Sequence, residues 1–156
     1  MIYIPLAVLA ITLFAILYSK RKPTVEVQPT ETISEYEITD FDWDIFIFIN
    51  NYRDENGLDY VTLSQQLTDL SFSHSEYMAN VNRLSHDNIE NRQAFMHPTL
   101  IGEVVAYGHK TPESVVAGWK RSEKHNACIL DKDFTKIGVS HSFSKDGKRY
   151  VTAIFS

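Results

Sequence analysis

The sequence predicts an α+β domain, and three observations carry that prediction. Apolar residues recur at helical spacing from Trp43 to Leu84, one short apolar run stands at Gly102–Gly108, and two β-rich runs close the chain. Helices first, one strand, a further helix and a terminal hairpin describe an α+β architecture rather than an alternating α/β one.

In chain order, the almost uninterrupted apolar run from Ile2 to Tyr18 would be about 25 Å long as a helix, near the lower limit for crossing a bilayer. It has neither the basic start nor the small-residue cleavage site of a secretory leader, so residues 2–19 are expected to be a single-pass transmembrane anchor. Residues 20–40 follow as an acidic tether: after Lys20, Arg21 and Lys22 the acids Glu26, Glu31, Glu35, Glu37 and Asp40 have no basic neighbour, which favours an extended, self-repelling segment. Residues 41–156 form the expected domain.

Within that domain Asp40 or Asp42 is expected to cap a helix through Trp43, Phe46 and Ile47 to Arg53, with Asn56-Gly57 as its stop, although Ile45–Ile49 also has strand propensity. A second helix carries Leu63, Leu67, Leu70, His74, Met78, Val81 and Leu84 on one face. His74 reads as a core histidine. A helix continued to His86 would set the two histidines about 120° apart, so no shared site is expected. Ile89–Met96 predicts a short helix ended by Pro98. Thr111-Pro112-Glu113 is a helix start, and Val115, Val116 and Trp119 are its inner side. Phe134–Phe143 and Tyr150–Phe155 predict a hairpin turning at Asp146-Gly147.

The formal charge of −5 argues against a nucleic-acid partner, which calls for a basic face. Cys128 is the single cysteine, so no intramolecular disulfide forms. It reads as a small buried hydrophobe, not a nucleophile.

Glu103 is the residue the chemistry turns on. A carboxylate at the head of a buried strand persists when it is paired, hydrogen-bonded or bound to a metal. His86 and His125 flank it in sequence, and two imidazoles with one carboxylate form a common three-ligand zinc set with an open position. The same residues also suit a metal-free cluster in which Glu103 fixes a histidine tautomer. Both readings stand at this point. His97, His109 and His141 are expected to be exposed, and Arg92 to lie on a solvated helix face.

Asn51-x-Arg53-x3-Gly57-Leu58, His74-Ser75-x2-Met78-Ala79, Leu84-Ser85-His86, Gly102-Glu103-x2-Ala106-x-Gly108, Thr111-Pro112-Glu113, Ser122-x2-His125-x3-Ile129-Leu130 and Phe134-Thr135-x-Ile137-Gly138-Val139 occur in an order and spacing that resembles the CAP superfamily. That group comprises cysteine-rich secretory, antigen 5 and pathogenesis-related 1 proteins, and the likeness is to its short bacterial form. The resemblance implies a three-layer α-β-α sandwich with a cleft lined by His86, Glu103 and His125, with Glu123 near the place of a second acid. The bacterial pattern reads Gly-Glu-Asn and His-x2-Asn-Ile-Leu; Val104 and Cys128 stand at the asparagine positions here, so a thinner polar network is expected.

The first functional expectation is a membrane-anchored CAP domain binding a small, lipid-like ligand or a divalent metal, Zn²⁺ foremost, at His86, Glu103 and His125. The alternatives are a metal-assisted hydrolase using the same residues and an interaction module with a vestigial cleft. The domain is expected to be extracytoplasmic, as the family implies, although Lys20-Arg21-Lys22 favours the cytoplasmic side by the positive-inside rule, because that rule is statistical and the basic cluster small.

Overall fold

The computed structural model describes residues 36–156. The expected anchor over 2–19 and most of the tether lie outside them. Among the described residues no helix is long and apolar enough to cross a membrane.

Helix α1 spans Asp40–Glu55. Its cap is Thr39, not Asp40 or Asp42: the Thr39 hydroxyl accepts the Asp42 backbone N–H while the Asp42 carboxylate reaches back to the Thr39 N–H. Asp42 is fully buried and also accepts from Tyr36 Oη at 2.7 Å and His141 Nδ1 at 2.8 Å. His141 is therefore largely buried by its partner and not exposed as its position on a terminal strand suggested. Tyr36 stacks on Phe72 with ring centroids 4.4 Å apart, so packing extends into the last residues of the predicted tether.

Strand β1 (Thr62–Leu63) leads into helix α2, Gln65–Val81. Its buried face is Leu67, Thr68, Ser71, His74, Ser75, Met78 and Ala79, rotated from the predicted stripe; Val81 and Leu84 are exposed. The reason is close approach. An added Cβ at Gly138 would lie 2.0 Å from the Leu67 carbonyl carbon, and the Ser71 hydroxyl donates to the Gly138 carbonyl at 3.0 Å. A helix seated that tightly on a sheet takes small side chains at the contact. Helix α3 (Ile89–Met96), strand β2 (Gly102–Tyr107) and helix α4 (Pro112–Arg121, capped by Thr111) follow as the sequence predicts. Ser122 ends α4 and caps a further helix, α5 (Glu123–Ile129), which periodicity had not revealed because it is only two turns long. Strands β3 (Lys136–Phe143) and β4 (Arg149–Phe155) form the terminal hairpin, with Gly147 at φ 77°.

The sheet order is β1-β3-β4-β2, parallel at β1/β3 and antiparallel elsewhere. On one face Val104, Ala106, Ile137, Val139, Val151, Ala153 and Phe155 meet Ile45, Ile49, Val115, Trp119 and Ile129. On the other face Val105 and Tyr150 meet Met78 and Ala79 of α2. Helices thus cover both faces, and the fold is the mixed α and β class the sequence predicts. Both sheet edges are capped by side chains. The Asn50 carboxamide accepts from Val61 N–H and donates to Val61 C=O, at 2.9 and 3.1 Å, and Trp119 Nε1 donates to the Val105 carbonyl of β2 at 2.9 Å.

Candidate functional site

The site lies at the start of β2, an edge strand, and five segments deliver its side chains. Strand alternation turns Glu103 toward α2, and its side chain is wholly enclosed. Helix α2 ends at Asn82 with φ 51°, and the loop to α3 closes at Asn88 with φ 59°. Asparagine tolerates this left-handed conformation better than most residues, and the two reversals fold His86 back over the sheet edge. The loop is further held by Tyr150 Oη, which donates to Asn82 Oδ1 at 2.8 Å, and by Tyr77 Oη, which donates to Asp87 Oδ2 at 2.8 Å.

Donors engage both oxygens of Glu103. His86 Nδ1 donates to Oε1 at 2.8 Å, Arg92 Nη2 to the same oxygen at 2.9 Å, and Arg92 Nε to Oε2 at 2.7 Å. Arg92 is only 8% exposed, and its Nη1 is spent on the Asp87 carbonyl at 2.9 Å. This is a bidentate guanidinium–carboxylate pair of the strong, geometrically specific kind. Arg92 therefore does not lie on a solvated helix face.

His74 also converges here, contrary to the expectation that it and His86 would be apart. Its Nε2 lies 3.7 Å from Glu103 Oε1 and donates to the Ser85 carbonyl at 2.8 Å. The helical angle did not apply because α2 stops before reaching His86. Burial lowers the His74 pKa and outweighs the attraction of Glu103, so the ring is neutral with its proton on Nε2.

His125 enters from the first turn of α5, with its backbone N–H capped by Ser122 Oγ. Its ring centroid is 6.1 Å from that of His86, at an interplanar angle of 58°. Burial, then the neighbouring His86, lowers the His125 pKa and favours the neutral imidazole. Gly102 makes this approach possible: an added Cβ there would lie 2.6 Å from Cys128 Sγ and 2.7 Å from the Phe134 ring. Cys128 thus packs the base of α5 onto the start of β2. Burial pushes its thiol up to about 12, which keeps it protonated and inert as expected for a packing residue. Val104 is wholly buried in the core opposite α2 and contributes no polar group to the cleft.

The structure accordingly brings His86, Glu103 and His125 together and adds His74 and Arg92. Glu123, the candidate second acid, is exposed on the first turn of α5. Among the described residues no group of three or more His, Cys, Asp and Glu side chains is disposed to hold a metal ion. Glu103 faces Arg92 and His86 with both oxygens, leaving His86 Nε2 and the His125 ring with nitrogen capacity to spare.

Comparison with known proteins agrees with this architecture. Protein YkwD of Bacillus subtilis (strain 168) is 28% identical over 130 residues, covering 79% of this chain and 51% of that protein. Membrane protein YlbC of the same organism is 28% identical over 138 residues, covering 78% and 40% respectively. The chain spans about half the length, or less, of these curated relatives. Among solved structures, an extracellular protein containing an SCP domain from Bacillus anthracis str. Ames superposes with a TM-score of 0.61 at 28% identity, covering 72% of this chain and 39% of that one. Residues 46–155 match the family described as CAP, the cysteine-rich secretory protein family, and since that match takes in most of the chain, the chain belongs to it.

Proposed function

We propose that this is a membrane-tethered CAP-domain protein whose cleft binds a divalent metal ion, zinc foremost, through His86 and His125, with Glu103 standing behind His86 as its hydrogen-bond acceptor. One observation carries the reading. His86 donates Nδ1–H to Glu103, and in the neutral ring this leaves the Nε2 lone pair free beside the neutral imidazole of His125. A carboxylate behind a ligating histidine fixes ring orientation and raises its basicity, the usual arrangement around bound zinc. Glu103 is then a supporting group, not the third ligand of the sequence-based set. Two proteins of the same fold, NaASP2 and Ac-ASP-7, are described with Zn²⁺ and with manganese, at 10% and 9% identity and TM-scores of 0.58 and 0.57. The tether rests on the apolar run over 2–19 and on the description of YlbC as a membrane protein.

Two protein ligands leave coordination positions to water or a small ligand. Bound zinc would supply Lewis-acid polarisation of whatever occupies them. The chain's own residues favour binding over hydrolysis, because both Glu103 oxygens are engaged by donors and this carboxylate is not free to act as a general base.

Calorimetric titration of the full-length chain with zinc in non-ionic detergent tests this. Stoichiometric binding is expected, lost in His86→Ala and in His125→Ala, and weakened about 10–100-fold in Glu103→Gln. Absence of zinc binding by the folded wild type, or its retention in both histidine variants, would refute the reading.

A further inference from the structure

A second site is suggested by a buried side-chain nitrogen that lacks a hydrogen-bond partner. Among the described residues Arg149 Nε is the only buried side-chain nitrogen or oxygen without a hydrogen-bond partner. Buried polar groups are almost always paired, so an exception asks for a missing partner. Of the three guanidinium nitrogens only Nη1 has an acceptor among the described residues, the Lys110 carbonyl at 3.1 Å. No carboxylate there lies within ion-pair distance of Arg149 either: Asp42 is near enough to be felt but is taken up by Tyr36, Thr39 and His141.

The guanidinium is nevertheless held in place. Its Cζ sits 3.7 Å from the Phe41 ring centroid and 4.8 Å from that of Phe143. Stacking of this kind organises a cation in advance, so less freedom is lost when it meets an anion. Arg149 lines a pocket of about 340 Å³ at the hairpin end of the sheet, together with Lys110, Lys148 and Phe143. No acid lines that pocket, although the chain carries 20 acids against 15 lysines and arginines. Lys148 pairs with Asp146 at 3.0 Å, but both are about half exposed, and such a pair contributes little.

We propose that this pocket is an oxyanion site taking a phosphate-bearing ligand, with Arg149 as its preorganised fork and Lys110 and Lys148 as flanking charges. A phosphate offers oxygens for the guanidinium and charge for both ammonium groups. The site is separate from the histidine cleft: Glu103 lies at the start of β2, whereas the pocket includes Gly108, just beyond its other end.

The test uses full-length chain in non-ionic detergent, titrated by calorimetry with inorganic phosphate and, separately, with glycerol phosphate, the soluble headgroup of an anionic lipid. Saturable binding is expected. It should weaken roughly tenfold or more in Arg149→Met and in the exposed-site double variant Lys110→Ser/Lys148→Ser, and stay unchanged in His86→Ala. Equal affinity for both probes would identify free phosphate as the ligand chemistry, and tighter glycerol phosphate binding a lipid headgroup. No saturation by either probe below about 10 mM, or undiminished binding in the double lysine variant, would overturn the proposal.

Discussion

Replacing Arg92 by methionine is expected to destabilise the domain by about 3–5 kcal/mol, and Glu103→Leu by a similar amount. Each change strands a charge in an enclosed place: Glu103 has no solvent-exposed side-chain surface, and Arg92 little. The double variant Arg92→Met/Glu103→Leu should cost less than either single change, because neither charge is then left behind. Urea unfolding followed by the fluorescence of buried Trp119 measures all four corners of this cycle. Additive losses would mean that the pair is incidental and that the two residues act through separate contacts. The cycle bears on function as well, since Arg92 holds the carboxylate that orients His86. The bidentate grip sets the plane of Glu103, leaving Oε1 turned to the imidazole.

Arg53→Met should be at least as damaging, with an expected loss of about 4 kcal/mol or more. Arg53 is buried and donates only to backbone carbonyls: Nε to Asp59 at 2.9 Å, Nη1 to Ile129 at 2.7 Å and Asp131 at 2.8 Å, and Nη2 to Phe134 at 3.3 Å. It thereby ties the end of α1 to the end of α5 and to the loop entering β3. Those carbonyls would be left unsatisfied, and methionine can answer none of them. Arg53→Lys should recover only part of the loss, because one ammonium cannot span the same fork. Thermal melts of the full-length chain in detergent decide this, and a melting temperature within a few degrees of wild type for Arg53→Met would contradict it. A domain of this size has little stability to spare, so zinc binding should fall along with the fold.

The elements that were legible in the sequence were those whose signals are local. Thr111-Pro112 marked the start of α4, Asp146-Gly147 the hairpin, and Pro98 the stop after α3, each by a backbone preference that works without tertiary partners. The seven short motifs then brought out the family and, with it, His86, Glu103 and His125. What stayed hidden depended on contacts between distant segments. The inner face of α2 is set by the approach of Gly138, which places Ser71 and Ser75 inward and leaves Val81 outside. Hydrophobic spacing reads side-chain character, not helix-to-sheet distance, so it found Leu67, His74 and Met78 but missed the inward serines and carried the stripe too far, to Val81 and Leu84.

The burial of Arg92 was missed for a related reason. A charged residue on a short helix reads as solvated until its partner is known, and Glu103 lies on another element. The burial of Asp42 and His141 was hidden in the same way by a pairing across 99 residues of chain. The one available signal was the cost of burying Glu103 itself. A carboxylate at the head of an apolar strand calls for a cation, and Arg92 is the nearest guanidinium before it in sequence outside the α2–α3 loop.

Metal binding at the cleft requires that Glu103 hold the His86 proton on Nδ1 and leave Nε2 bare. Long-range ¹H–¹⁵N correlation spectra of the metal-free full-length chain, with His86 assigned by comparison with His86→Ala, report this directly. The account predicts a protonated Nδ1 and a bare Nε2 in wild type, with that preference lost in Glu103→Gln. A neutral His86 carrying its proton on Nε2, or the same tautomer in both proteins, would contradict it.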